Sequence, residues 1–106
     1  KGGENIAPRE IDEALQRHPC VLEAASVGVA DRHYGQQIEA YLVLRPDATL
    51  SAAELMQHCL DHLGRYKTPR LCHVVDDLPR GPSGKVQRLK LNDYPRERIL
   101  STLTLN

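Results

Sequence analysis

The sequence predicts an α+β fold in which a small three-stranded sheet is covered by helices. Three observations carry this. Apolar residues recur at helical spacing in two places, around Ile11 and around Leu55. Three short β-rich runs, Val21 to Val29, Ile38 to Leu44 and Leu71 to Val75, are separated by turn-forming residues. The helical and extended runs are intermixed, without the strict βαβα alternation of a doubly wound sheet.

The elements follow in order. Pro8 suits a first helical turn, where its missing N–H costs nothing. Ile11, Ala14 and Leu15 then form one apolar face, and Glu10, Asp12 and Glu13 lie near the positive end of the helix. His18-Pro19 stops it, because the residue before proline avoids helical angles. Val21 to Val29 reads as a strand, and Ala30 to Gly35 as its turn. In Ile38 to Leu44, Ile38, Ala40, Leu42 and Leu44 alternate with Glu39, Tyr41 and Val43, the period of a second strand. Ser51 with Glu54 forms a capping box ahead of a helix that places Leu55, Met56, Cys59, Leu60 and Leu63 on one side, with Gly64 closing it. Leu71 to Val75 is the third strand. Leu78 to Lys85 is a loop rich in Pro and Gly. Val86 to Leu91 fits either a last helix or a short strand, and Asn92 to Pro95 breaks it.

The length of 106 residues fits one domain, too small to enclose a large active site. With no Trp and no Phe, its core must be aliphatic. A net charge of zero argues against a nucleic-acid binder. The charge is unevenly placed, however: Arg80, Lys85, Arg88, Lys90, Arg96 and Arg98 stand against Asp93 and Glu97, a local basic patch suited to a phosphate-bearing small molecule. The odd cysteine count (Cys20, Cys59, Cys72), without CxxC, reads as reduced thiols in a cytoplasmic protein. No apolar run approaches the roughly 20 residues that span a bilayer. The opening Lys1-Gly2-Gly3-Glu4-Asn5-Ile6 reads as the start of a fragment rather than of a natural domain.

The segment Leu78-Pro79-Arg80-Gly81-Pro82-Ser83-Gly84-Lys85 presents one lysine after a stiffened turn. Such a lysine can offer a point charge to a phosphate or a developing oxyanion, or it can be an ordinary solvated side chain. The segment is not a Walker A loop: Gly81 stands too close to Gly84, and Val86 follows Lys85. Gly2-Gly3 would let backbone approach a ligand, or make a plain tight turn. His58 and His62 have the i, i+4 spacing of metal ligands, but no HExxH glutamate and no obvious third ligand accompany them, so a solvated helix edge is the simpler reading. His73 beside Cys72 and His33 beside Asp31 read as structural. No GxSxG nucleophile motif occurs.

Two separated motifs resemble those of acyl-CoA synthetases of the adenylate-forming superfamily. Gly2 to Asp12 resembles the family's GGENI-x-P-x-EIE, and Leu78 to Arg88 resembles its LPR-T-PSGKV-x-R. Between them His18 to Ala25 is similar to HP-x-V-x-EAAV, and Tyr66-Lys67-Thr68-Pro69 to YK-x-P. The resemblance covers nearly the whole chain. It implies that residues 1–106 form the mobile C-terminal domain, with an N-terminal hairpin-like glycine loop, and that the large ATP-binding domain lies upstream. It further implies activation of a carboxylic acid, a fatty acid by expectation, as acyl-AMP and its transfer to CoA. Lys85 would be the catalytic lysine of the first step, with Pro82, Ser83, Gly84 and Arg88 supporting it. Gly2, Gly3 and Glu4 would line the pantetheine tunnel in the second. ATP and CoA are then substrates, Mg2+ is expected through the large domain, and the fragment alone should bind no cofactor and be inactive. An acyl carrier protein as acceptor, a lysine acetyltransferase acting on Lys85, and a non-catalytic module are the alternatives. Gly81, where Thr is common, and Ala7, where Ser or Tyr often stands, depart from the pattern.

Overall fold

The computed structural model describes residues 7–33 and 35–105. Helix α1 (Pro8–Gln16) leads into strands β1 (Val21–Asp31) and β2 (Gly35–Leu44), followed by helix α2 (Ala52–His62), strand β3 (Leu71–Val75) and strand β4 (Ile99–Thr104). Short 3-10 turns cover Arg65–Lys67, Arg88–Asp93 and Arg96–Arg98. The sheet order is β1-β2-β3-β4. β1 and β2 form an antiparallel hairpin, β2 and β3 run parallel, and β3 and β4 are antiparallel. A parallel pair needs a crossover, and α2 supplies it.

The expected three-stranded sheet is one strand short. β4 is an edge strand whose residues are mostly exposed or half-buried, so its sequence carries little hydrophobic signal. Backbone pairing with β3 holds it, from Leu71 opposite Thr104 to Val75 opposite Ile99. The ambiguous run after Val86 becomes the 3-10 turn Arg88–Asp93, neither a strand nor an α-helix. The first hairpin is tighter than expected, since its strands continue to Asp31 and begin again at Gly35.

Both faces of the sheet are covered. Ile38, Ala40 and Leu42 of β2 pack with Ile11 and Leu15 of α1 and Leu55 and Cys59 of α2. On the opposite face Ala25, Val27 and Tyr41 meet Val75, Leu78, Leu91 and Tyr94, so two tyrosines enter a core expected to be aliphatic. The segment after β3 thus folds back as a second lid on the sheet, and it is this segment that carries the lysine loop. The Ser51 capping box forms in full: Glu54 N–H donates to Ser51 Oγ at 3.1 Å, and Ser51 N–H donates to Glu54 Oε1 at 3.0 Å. Leu60 turns outward, 38% exposed, so the buried stripe of α2 is narrower than its spacing suggests.

His18 links the two helices. Its Nδ1 accepts the Cys20 N–H at 3.1 Å, which requires that nitrogen unprotonated, and its ring centroid lies 5.0 Å from that of His58. Burial, then the neighbouring His58, lowers the His18 pKa below 6.5, with Glu54 opposing weakly. A histidine depressed in the folded state binds fewer protons there than in the unfolded chain. Its contribution to stability is therefore complete above the unfolded pKa and is lost as pH falls through about 6.5 toward the folded value. The melting temperature should fall between about pH 7.5 and 5.5. His18→Asn, which retains an acceptor for Cys20, should show a shallower fall by circular dichroism, and equal slopes would refute this assignment.

Candidate functional site: the lysine hairpin

Pro79 to Gln87 forms a short hairpin standing off the second lid. Gln87 N–H donates to the Pro79 carbonyl at 2.8 Å, and Arg80 pairs with Val86 in an antiparallel bridge. At the tip, Gly84 N–H donates to the Gly81 carbonyl at 3.0 Å and Gly81 N–H to the Lys85 carbonyl at 2.9 Å. That is the bonding of a three-residue hairpin loop ending in a glycine bulge. Pro82 restricts φ at the first corner, and Gly84 takes φ +87°, where a side chain would be strained although nothing lies within 4 Å of its Cβ position. Pro-Ser-Gly is therefore a geometric device, and Lys85 is the first residue beyond it.

Lys85 is exposed, and its ammonium makes no hydrogen bond or ion pair with any described residue. Of the expected basic patch, most is spent inside the domain. Arg80 reaches Glu23 on β1 through Nη2 at 2.5 and 2.6 Å, Asp77 through Nε at 3.3 Å and the Gly84 carbonyl through Nη1 at 3.1 Å. Arg88 pairs with Asp12, Arg96 donates to the Tyr41 hydroxyl at 2.9 Å, and Arg98 lies over the Tyr94 ring. Lys85 and Lys90 are the cations of this stretch without a partner among the described residues. A diffuse patch thus resolves into a framework of partnered arginines and two free lysines, of which Lys85 is the one on the hairpin.

Arg88 is the other foot of the hairpin, with a side chain 36% exposed and a buried partner, Asp12. Its Nη1 donates to Asp12 Oδ2 and to the Ser26 carbonyl, each at 2.8 Å. Asp12 Oδ1 accepts from both the backbone N–H and the hydroxyl of Ser26 at 2.7 Å. Asp12, 8% exposed, has both oxygens satisfied. Placing Asp12 merely near the helix start missed this. The available signal was its position three residues before buried Leu15 and one after buried Ile11, on the packed side of α1.

Ser83 and Gly84 join Lys85 at the exposed tip, whereas Gly2, Gly3 and Glu4 lie outside the described residues. At Gly81, a Cβ would come within 2.8 Å of Gln87 Nε2, the end of a flexible side chain, so a threonine would require only that Gln87 swing aside. The rings of His58 and His62 are 4.2 Å apart, but His58 Nε2–H donates to the Ala14 carbonyl at 2.6 Å. Among the described residues no three His, Cys, Asp or Glu side chains gather to hold a metal ion. Cys20, Cys59 and Cys72 are free thiols, and burial raises the Cys59 pKa to about 11, which suppresses its thiolate. No described helix is long and apolar enough to cross a membrane.

The family model for the AMP-binding enzyme C-terminal domain matches residues 10–85. The chain is 68% identical over 94 residues to sulfoacetate–CoA ligase of Cupriavidus necator, covering 89% of this chain and 18% of that protein. It is 41% identical over 99 residues to 2-succinylbenzoate–CoA ligase of Bacillus subtilis, covering 93% and 20%. The structure of o-succinylbenzoate CoA synthetase from Bacillus subtilis, solved with its acyl-adenylate intermediate, superposes with a TM-score of 0.82 at 42% identity, covering 89% of this chain and 19% of that one. The chain thus spans about a fifth of the length of the relatives it matches. A hairpin presenting one unpartnered lysine, on a domain of this architecture and at this level of identity, leaves one assignment: the chain belongs to the family of AMP-binding enzyme C-terminal domains of the adenylate-forming superfamily.

Proposed function

We propose that the chain is the lysine-bearing small domain of an ATP-dependent acid–CoA ligase, and that it works with a large ATP-binding domain. The observation carrying this is Lys85: exposed, unpartnered and held at the tip of a hairpin whose feet are both anchored to β1. In the first half-reaction a carboxylate oxygen bonds to the α-phosphorus of ATP and the bond to the β-phosphate oxygen breaks, releasing pyrophosphate. Two anions meet there, and a fixed cation lowers the barrier by matching charge that grows in the transition state. In the second, the CoA sulfur bonds to the acyl carbon, the thiol proton is lost and AMP departs. A glycine-lined approach at Gly2 and Gly3, with Glu4, would admit the pantetheine arm in that step. Any Mg2+ accompanying ATP would be held by the large domain.

For the acid, we favour a small carboxylate carrying a second anionic group over the fatty acid that the motifs suggest. The support is the 68% identity to a protein named for sulfoacetate, with 41% identity to one named for 2-succinylbenzoate. The test is acid-dependent pyrophosphate release by the full-length reading frame containing residues 1–106. Sulfoacetate should exceed medium-chain fatty acids in kcat/KM by at least about tenfold, with CoA preferred over a phosphopantetheinyl carrier protein. A preference for fatty acids would overturn the substrate assignment, and preference for the carrier would overturn the acceptor. No acid-dependent release from any of a broad set of carboxylates would leave the non-catalytic module as the better reading.

A further inference from the structure

We infer that the Asp12–Arg88–Ser26 clamp is a positioning device for Lys85, not merely a structural ion pair. The inference rests on the reading of Lys85 given above. Because the Lys85 side chain touches no described partner, its backbone must place it. The hairpin has two polar feet. Arg80 to Glu23 is about one-third exposed on both sides, and water and salt weaken such a pair. The Arg88 side chain is as exposed as that of Arg80, but its partner differs: the Asp12 carboxylate is buried and closed on by three donors from two elements.

Arg88 lies three residues beyond Lys85, and three residues span at most about 10 Å. Val86 and Gln87 between them are tied to the opposite arm by the Arg80 bridge and the Pro79 carbonyl. Little slack remains, so the position of Arg88 is passed on to Lys85. The opposite end of the clamp is α1 itself: Asp12 lies on that helix, and Ser26 Oγ is also 3.2 Å from the Pro8 carbonyl in its first turn. The lysine is thus registered against the helix that follows the glycine motif.

Arg88→Gln removes the charge and the forked donor while retaining a polar side chain of similar reach. In the full-length enzyme, we expect kcat for adenylate formation to fall by about 100-fold, as for a catalytic group misplaced by about 1 Å. KM for ATP should change little, and thioester formation from supplied acyl-adenylate should stay within about threefold. Asp12→Asn, nearly isosteric, should show the same split more weakly. The deciding measurement is Arg88→Gln in a Lys85→Ala background. If the clamp acts through Lys85, it has nothing left to position there, and adenylate formation should fall no further than in Lys85→Ala alone. Multiplying losses in the double variant, equal losses in both half-reactions, or wild-type adenylation by both Arg88→Gln and Asp12→Asn would each overturn the clamp while leaving Lys85 in its role. Lys85→Ala without effect would overturn the reading of Lys85, and this inference with it.

Discussion

Replacing Lys85 with alanine in the full-length enzyme should lower the rate of acyl-adenylate formation by about 100- to 1,000-fold, the range for losing one preorganised electrostatic contact to a transition state. Thioester formation from supplied acyl-adenylate should remain within a few-fold of wild type, because that step attacks the acyl carbon and makes no new bond to phosphorus. Thermal stability should not change, since the side chain is exposed and unpartnered among the described residues. Lys85→Arg should recover only part of the rate: the charge persists, but a planar guanidinium fork does not place it where a compact ammonium would. Lys85→Gln, neutral like an acetylated lysine, should lose as much as Lys85→Ala, so a lysine acetyltransferase acting on this exposed site would silence the first half-reaction alone. Pyrophosphate release and AMP release, followed separately, measure the two halves. Undiminished pyrophosphate release from Lys85→Ala would remove Lys85 from the chemistry.

What the sequence revealed here, and what it hid, follows from where the information resides. α1, the capping box and β3 were legible because each is set by residues within one or two turns of each other: Pro8 at the first turn, Ser51 with Glu54, and an apolar run bounded by breakers. The lysine hairpin was legible as an irregular loop, because Pro82 and Gly84 restrict or require particular backbone angles. β4 was hidden since Leu100, Ser101 and Thr102 are exposed, and their extended shape comes from the neighbouring backbone of β3. The fate of the basic patch was hidden for a related reason. Composition shows that arginines cluster, but Glu23 and Asp12, which neutralise two of them, stand 57 and 76 residues away in sequence. Motif reading located Arg88 beside the lysine, and only the tertiary fold shows what it grips.

The same long-range dependence makes Glu39→Ala the substitution with the largest expected effect on stability. Glu39 and His73 are 8% and 4% exposed on adjacent strands, and His73 Nε2–H donates to Glu39 Oε1 at 2.9 Å. His73 Nδ1 meets Thr102 Oγ1 on β4 at 2.8 Å, and Arg70 lies 3.6 Å from the second Glu39 oxygen. One chain of polar contacts therefore crosses β2, β3 and the edge strand. Removing the carboxylate leaves the buried His73 N–H without its acceptor, a loss of about 2–3 kcal/mol. For a domain of this size, that should lower the melting temperature by more than about 10 °C. Thr102→Val, which removes one neutral hydrogen bond at the edge, should cost about 1 kcal/mol. The decisive comparison is Glu39→Leu with His73→Leu in one chain. Removing both partners eliminates the stranded group, so urea unfolding should find the double variant more stable than Glu39→Ala alone. A double variant less stable than the single would mean that the pair contributes net attraction well beyond its own desolvation. The polar chain would then hold β4 in place, rather than being tolerated beneath a strand that backbone pairing already secures.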